Sequence, residues 1–235
     1  MKSYARIIVF IAAIILSLFA VTVSAATIDE LAANYNTSLC MECHADVAEN
    51  LLMSNHVYSI INPRVILAMK NETKASKPAR EAIKGCLTCH APITDNVSDD
   101  LLDKIATLVV IADNKHTGLK ESAIKELSHL SINCLVCHMM KGMPADKIKP
   151  KVIYGPGWDE HEHSHKDEYG FDTLKSDYFM SSAFCISCHS GPKETHKNYA
   201  THYTDTKKTC LQCHMNNHKF SIALPLGRVP ETLIK

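Results

Sequence analysis

The sequence is poor in aromatic residues and has no surplus of either charge. Phenylalanine, tyrosine and tryptophan make up 6% of the 235 residues, and Trp158 is the single tryptophan. A chain so short of rings must find its bulky apolar filling elsewhere. Twenty-five basic residues balance twenty-five acidic ones. That leaves no net field to steer the chain onto nucleic acid, and no polybasic patch for an anionic membrane. Beyond the first 26 residues there is no apolar run long enough to cross a bilayer. Nor is there any cysteine outside one recurring pattern.

That pattern is Cys-x-x-Cys-His, and it occurs five times. The copies are Cys40–Cys43–His44, Cys86–Cys89–His90, Cys134–Cys137–His138, Cys185–Cys188–His189 and Cys210–Cys213–His214. In such a motif two thiols add across the two vinyl groups of a haem, and the histidine turns back onto the iron as proximal ligand. Zinc and redox dithiols also use Cys-x-x-Cys pairs, but zinc has no need for histidine at one fixed offset five times over. A redox motif would not repeat through one small chain. The expected cofactor is therefore five covalently bound haem c groups.

The N-terminus fits this chemistry. Lys2 and Arg6 precede an apolar run from Ile7 to Val23, then Ser24, Ala25 and Ala26. Charged, apolar, then small is the order of a secretory signal, expected over residues 1–25. An uncleaved anchor in the inner membrane is the alternative, since the run reaches the lower edge of a span. Either way the chain is expected outside the cytoplasm, in the periplasm or at the cell surface. Residues 26–220 then form a single domain, and 221–235, with Pro225, Gly227 and Pro230, an extended tail.

With about 42 residues per motif, the polypeptide is too short to wrap each haem separately, so the haems are expected to pack together as the core. The expected class is mainly α with much irregular loop and little or no sheet. A helix is expected over Asp46–Asn55. Another is expected over Pro78–Lys84, with Gly85 as its left-handed stop. Ser98 is placed to cap a helix running to about Asn114, and a further helix runs from Leu119 to about Leu130 after a break at Gly118. From Met143 to Gly170 the pattern dissolves into loop.

Nine histidines remain after the proximal five: His56, His116, His129, His161, His163, His165, His196, His202 and His218. Five of them suffice to give every iron a second imidazole and close it to substrate. Met139, Met140 and Met215 follow proximal histidines directly and read as soft packing against haem faces. The run from Trp158 to His165, rich in acid and histidine, could tune a haem potential or hold an accessory metal.

These residues resemble the multihaem cytochromes c of the hydroxylamine oxidoreductase and pentahaem nitrite reductase superfamily. In that family the first motif is often followed by six residues, a Trp, two residues and Ser-x-His. Here Leu51 stands at the Trp position and Ser54-Asn55-His56 follows. The resemblance implies a compact multihaem cytochrome c fold in which His56 is the distal ligand of the haem on His138. Tyr154-Gly155-Pro156 is similar to the segment that supplies the first haem's distal ligand, which implies His165, then His163, with His161 a third candidate. Ser181 to Cys185 and Lys208 to Met215 look like the family's last haem pair. His202 resembles a second copy of the His56 ligand, and His218-Lys219-Phe220 the family's His-x-Phe donor. His129 is expected for the haem on His90 in preference to His116, and His196 is left as an alternative, from this chain or a neighbouring subunit.

Departures from the family's enzymes point toward electron transfer. No Cys-x-x-Cys-Lys occurs, whereas the ammonia-forming relatives use a lysine-ligated haem, and the long catalytic domains are missing. The expectation is a pentahaem electron carrier. Its partners would be redox proteins: a quinol dehydrogenase, other cytochromes or a terminal reductase. The alternatives are a subunit of an extracellular cytochrome filament, self-associating through haem edges or the tail, and a small reductase or oxidase of nitrogen or sulfur oxyanions with one open haem.

Overall fold

A computed structural model describes residues 27–75, 78–140, 152–155, 165–167, 170–189, 209–216 and 219–220. The expected signal segment, His161, His163, His196, His202, His218 and the tail lie outside the described residues. Helix accounts for 69% of what is described, and the sheet is confined to two small pairs. The mainly helical class therefore holds. Among the described residues no helix is long and apolar enough to cross a membrane.

The first short helix, α1 (Ile28–Ala33), opens with a capping box. The Thr27 hydroxyl accepts from the Glu30 amide, and the Glu30 carboxylate accepts from the Thr27 amide. Next come α2 (Ser38–Cys43), α3 (Ala45–Leu52) and a 3₁₀ turn at Asn55–Tyr58. The larger helices follow: α4 (Pro63–Ala75), α5 (Ala79–His90), α6 (Asp99–Ala112) and α7 (Thr117–Ser128). Proline suits the first turn of α4, where its missing N–H goes unneeded, and the Asn62 side chain accepts from the Arg64 amide. Ser98 caps α6 as expected, its hydroxyl accepting from the Leu101 amide.

Two glycines do not act as stops. Helix α5 runs through Gly85 and carries the second motif in its last turn, because Ile83 and Leu87 on either side are buried and reward continuation. The roughly 1 kcal/mol preference against glycine is smaller than the gain from burying two such side chains. Gly118 likewise lies inside the first turn of α7.

Helices α4 to α7 enclose an ordinary aliphatic core in which Ile60, Met69, Ile83, Ile105, Val109, Leu127 and Leu130 are fully buried. This part of the chain buries a contiguous set of aliphatic side chains of its own. Among the described residues, the longest helices lie between the first and third motifs.

Three shorter helices complete the description: α8 (Cys134–His138), α9 (Ser182–His189) and α10 (Cys210–His214). Within the stretch expected as loop lies β1 (Val152–Gly155), which pairs in parallel with β2 (Asp172–Lys175) just beyond it, Val152 opposite Asp172. A hairpin of β3 (Met215–Asn216) and β4 (Lys219–Phe220) brings the chain back beside α3.

Candidate haem-attachment sites

Every motif lies on a helical turn. Positions i, i+3 and i+4 share one helix face, so a turn over Cys-x-x-Cys-His presents both thiols and the imidazole to the same side. The first motif occupies α2 with His44 at its C-cap, and the second ends α5. The third is α8, started by Asn133, whose side chain accepts from the Val136 amide. The fourth ends α9, and the fifth is α10. The Cys210 amide donates to the Ser182 hydroxyl at 3.0 Å, which ties the fifth motif to the start of the fourth's helix.

Two of the motif histidines are oriented by backbone carbonyls. His90 Nδ1 lies 3.0 Å from the Ser59 carbonyl, and His138 Nδ1 lies 3.0 Å from the Tyr154 carbonyl. Nδ1–H donation of this kind fixes the tautomer and leaves Nε2 with its lone pair for a metal. Ser59 is a buried hub: its hydroxyl donates to the His90 carbonyl at 2.7 Å and accepts from the Ile132 amide at 3.4 Å.

One imidazole pair stands at the span an iron requires, and a second stands slightly short of it. An imidazole nitrogen sits about 2.0–2.1 Å from a bound first-row metal and about 1.1 Å from its own ring centroid, so trans rings are about 6.2–6.4 Å apart. The centroids of His44 and His165 are 6.2 Å apart, with ring planes inclined at 18°. Those of His56 and His189 are 5.9 Å apart, inclined at 78°. The His165 carbonyl accepts from the Phe171 amide at 2.9 Å, just before β2. His56 sits in the 3₁₀ turn after Ser54, whose hydroxyl accepts from the His56 amide. Burial, and then the neighbouring His189 charge, push the His56 imidazole down to about 4. It is neutral near pH 7, the form that ligates.

The structure thus places His165 opposite His44, the partner the resemblance implies. For His56 the resemblance implies the haem on His138, whereas the ring at ligating span is His189. His138 meets the Phe179 ring at 4.9 Å. The structure does not bring His129 and His90 together: His129 Nδ1 lies 2.8 Å from the Asp29 carboxylate at the surface. His116 is the exposed N-cap residue of α7.

Thiols of different motifs meet. Cys40 is in hydrogen-bonding contact with Cys134, Cys89 with Cys188, and Cys185 with Cys210. The Cys134 contact holds the Cys40 thiol down to about 7 against its burial, and the Cys188 contact does the same for Cys89, also to about 7. Cys134 and Cys188, the donors, are pushed well above the usual thiol range. Burial, reinforced by nearby Cys185, raises Cys137 to about 12. Among the described residues no three or more of His, Cys, Asp and Glu gather closely enough to hold a bare metal ion.

No family model matches the chain, and no curated protein or solved structure matches it.

Proposed function

We propose that this chain is a pentahaem c-type cytochrome that carries electrons between redox proteins outside the cytoplasm. The observation that carries the reading is the coincidence of five Cys-x-x-Cys-His motifs on helical turns with two imidazole pairs at or near the span of an iron. Haem, when bound, supplies reversible one-electron chemistry between Fe(II) and Fe(III).

The chain's own residues do the rest. Paired thiols on one helix face tether each group, and the Ser59 and Tyr154 carbonyls keep the His90 and His138 rings in the ligating tautomer. With a second imidazole facing both His44 and His189, His165 and His56 would hold those irons from the other side and shut out substrate, which suits a carrier better than an enzyme. Bis-imidazole ligation also holds potentials below those of His/Met sites. Contacts between the thiols of different motifs favour close approach of the attachment sites, as electron passage between them demands.

The test is to express the full chain with export and haem-attachment machinery, then measure haem per polypeptide by alkaline pyridine spectra and intact mass. Five covalent haems are expected. A folded product that contains zinc and no haem overturns the proposal.

A further inference from the structure

The 5.9 Å, 78° pair and the 6.2 Å, 18° pair differ in a way that matters electronically. We infer that His56 is the second axial ligand of the fourth attachment site, across from His189 with ring planes near perpendicular. The first site, between His44 and His165, has its planes near parallel. This rests on the haem reading above, and it adds which histidine serves which iron and how each ring is turned.

The segments that carry the two rings are anchored by hydrogen bonds of their own. His56 belongs to a 3₁₀ turn anchored at both ends. Ser54 accepts from the His56 amide, and the residue after the turn, Ser59, is buried and bonded to the His90 carbonyl. The Tyr58 hydroxyl, donating to the Leu52 carbonyl, adds a third tie. On the other side, His189 closes α9, whose first residue, Ser182, is buried and bonded to the Cys210 amide. His165 is held by the Phe171 amide beside the β1–β2 pair.

Each imidazole donates π density into the iron d orbital perpendicular to its own plane. When two rings are parallel they act on one orbital and split the near-degenerate pair, which gives a rhombic low-spin ferric signal. When they are perpendicular the two orbitals are affected alike. The pair stays nearly degenerate and the signal collapses to a single large g value. The fourth site belongs to that strongly anisotropic class, and the first site to the rhombic class.

The experiment is EPR of the oxidised pentahaem protein with its haem content measured on the same sample. Wild type is expected to show both classes. His56→Ala should remove an anisotropic component and turn one iron in five high-spin. His165→Ala should remove a rhombic one. The double variant His56→Ala/His189→Ala should lose one low-spin iron, because both changes strike the same metal, whereas His56→Ala/His138→Ala should lose two. The opposite pattern, two lost with His189 and one with His138, overturns the assignment.

If a double variant fails to mature, His56→Met gives a second readout. It is expected to convert the anisotropic signal into a methionine-ligated spectrum while the rhombic signal of the first site stays. Loss of the rhombic signal instead refutes the assignment. A preparation with no covalent haem would refute the underlying reading instead, and the haem count tells the two failures apart.

Discussion

Before haem is attached, the inter-motif thiol contacts should make two cysteines far more reactive than the others. Cys40 and Cys89 are held down to about 7, each by a hydrogen bond from a thiol of another motif. At pH 7 about half of such a thiol is thiolate, against about 1% for a thiol near 9, roughly a 50-fold difference. Intrinsic nucleophilicity falls with pKa by about 0.4–0.5 of a log unit per unit, which takes back roughly 6- to 10-fold over two units. Alkylation of Cys40 and Cys89 should therefore run about 5- to 8-fold faster than an ordinary thiol. Cys137, raised to about 12, should hardly react, with thiolate on the order of one part in a hundred thousand. Cys134→Ala removes the donor to Cys40 and should slow Cys40 by the same 5- to 8-fold while leaving Cys89 unchanged. Timed iodoacetamide labelling of the haem-free chain, read by peptide mass spectrometry, measures this directly. An unchanged Cys40 rate in Cys134→Ala, or a Cys137 rate equal to that of Cys40, would refute the reasoning.

Leu127 is fully buried between α6 and α7 while Leu119 is 60% exposed. In urea titrations Leu127→Ala should cost about 2–5 kcal/mol, and Leu119→Ala should fall within about 0.5 kcal/mol of wild type. Ser59→Ala leaves the buried Ile132 amide and the His90 carbonyl without this partner. It should cost about 1–3 kcal/mol in the same titration and broaden the absorption of one haem. His56 is held neutral in the fold, at about 4, against an ordinary 6.5. The unfolded chain therefore binds the extra proton first, and the haem-free fold should lose stability as pH falls from about 6.5 to about 4. The loss is on the order of 3 kcal/mol, and it should vanish in His56→Gln. His129, bonded to Asp29 at the surface, should be replaceable by glutamine with the number of low-spin irons unchanged. A new high-spin signal in that variant would make it a ligand after all.

What was legible in the sequence was local. Ser98 before Asp99-Asp100 and an apolar stripe gave the cap and face of α6, because capping and periodicity are written in neighbouring residues. The motif turns were legible for the same reason. Two further local signals were present and passed over: Thr27 with Glu30 opens α1, and Asn62-Pro63 opens α4. The β1–β2 pair was not legible, since a parallel pairing joins segments whose register depends on the rest of the fold. Gly85 misled because a glycine's local preference is weak beside the burial of Ile83 and Leu87. Candidate ligands could be named one by one from histidine content. The resemblance implied His165 for His44, but the pairing of His56 with His189 was not legible: the two lie far apart in sequence, and only three-dimensional packing brings them together.

The span between His44 and His165 has a consequence for the order of manufacture. A chain that leaves the membrane N-terminus first exposes Cys40, Cys43 and His44 early, while His165 follows only after two further attachment motifs have passed. The first haem would then be tethered long before its second imidazole arrives, and would wait with one face bare to small molecules and oxidants. On the haem reading, completion of that site would be a late event, and the short parallel strand pair beside His165 would be the latch that ends the period of vulnerability.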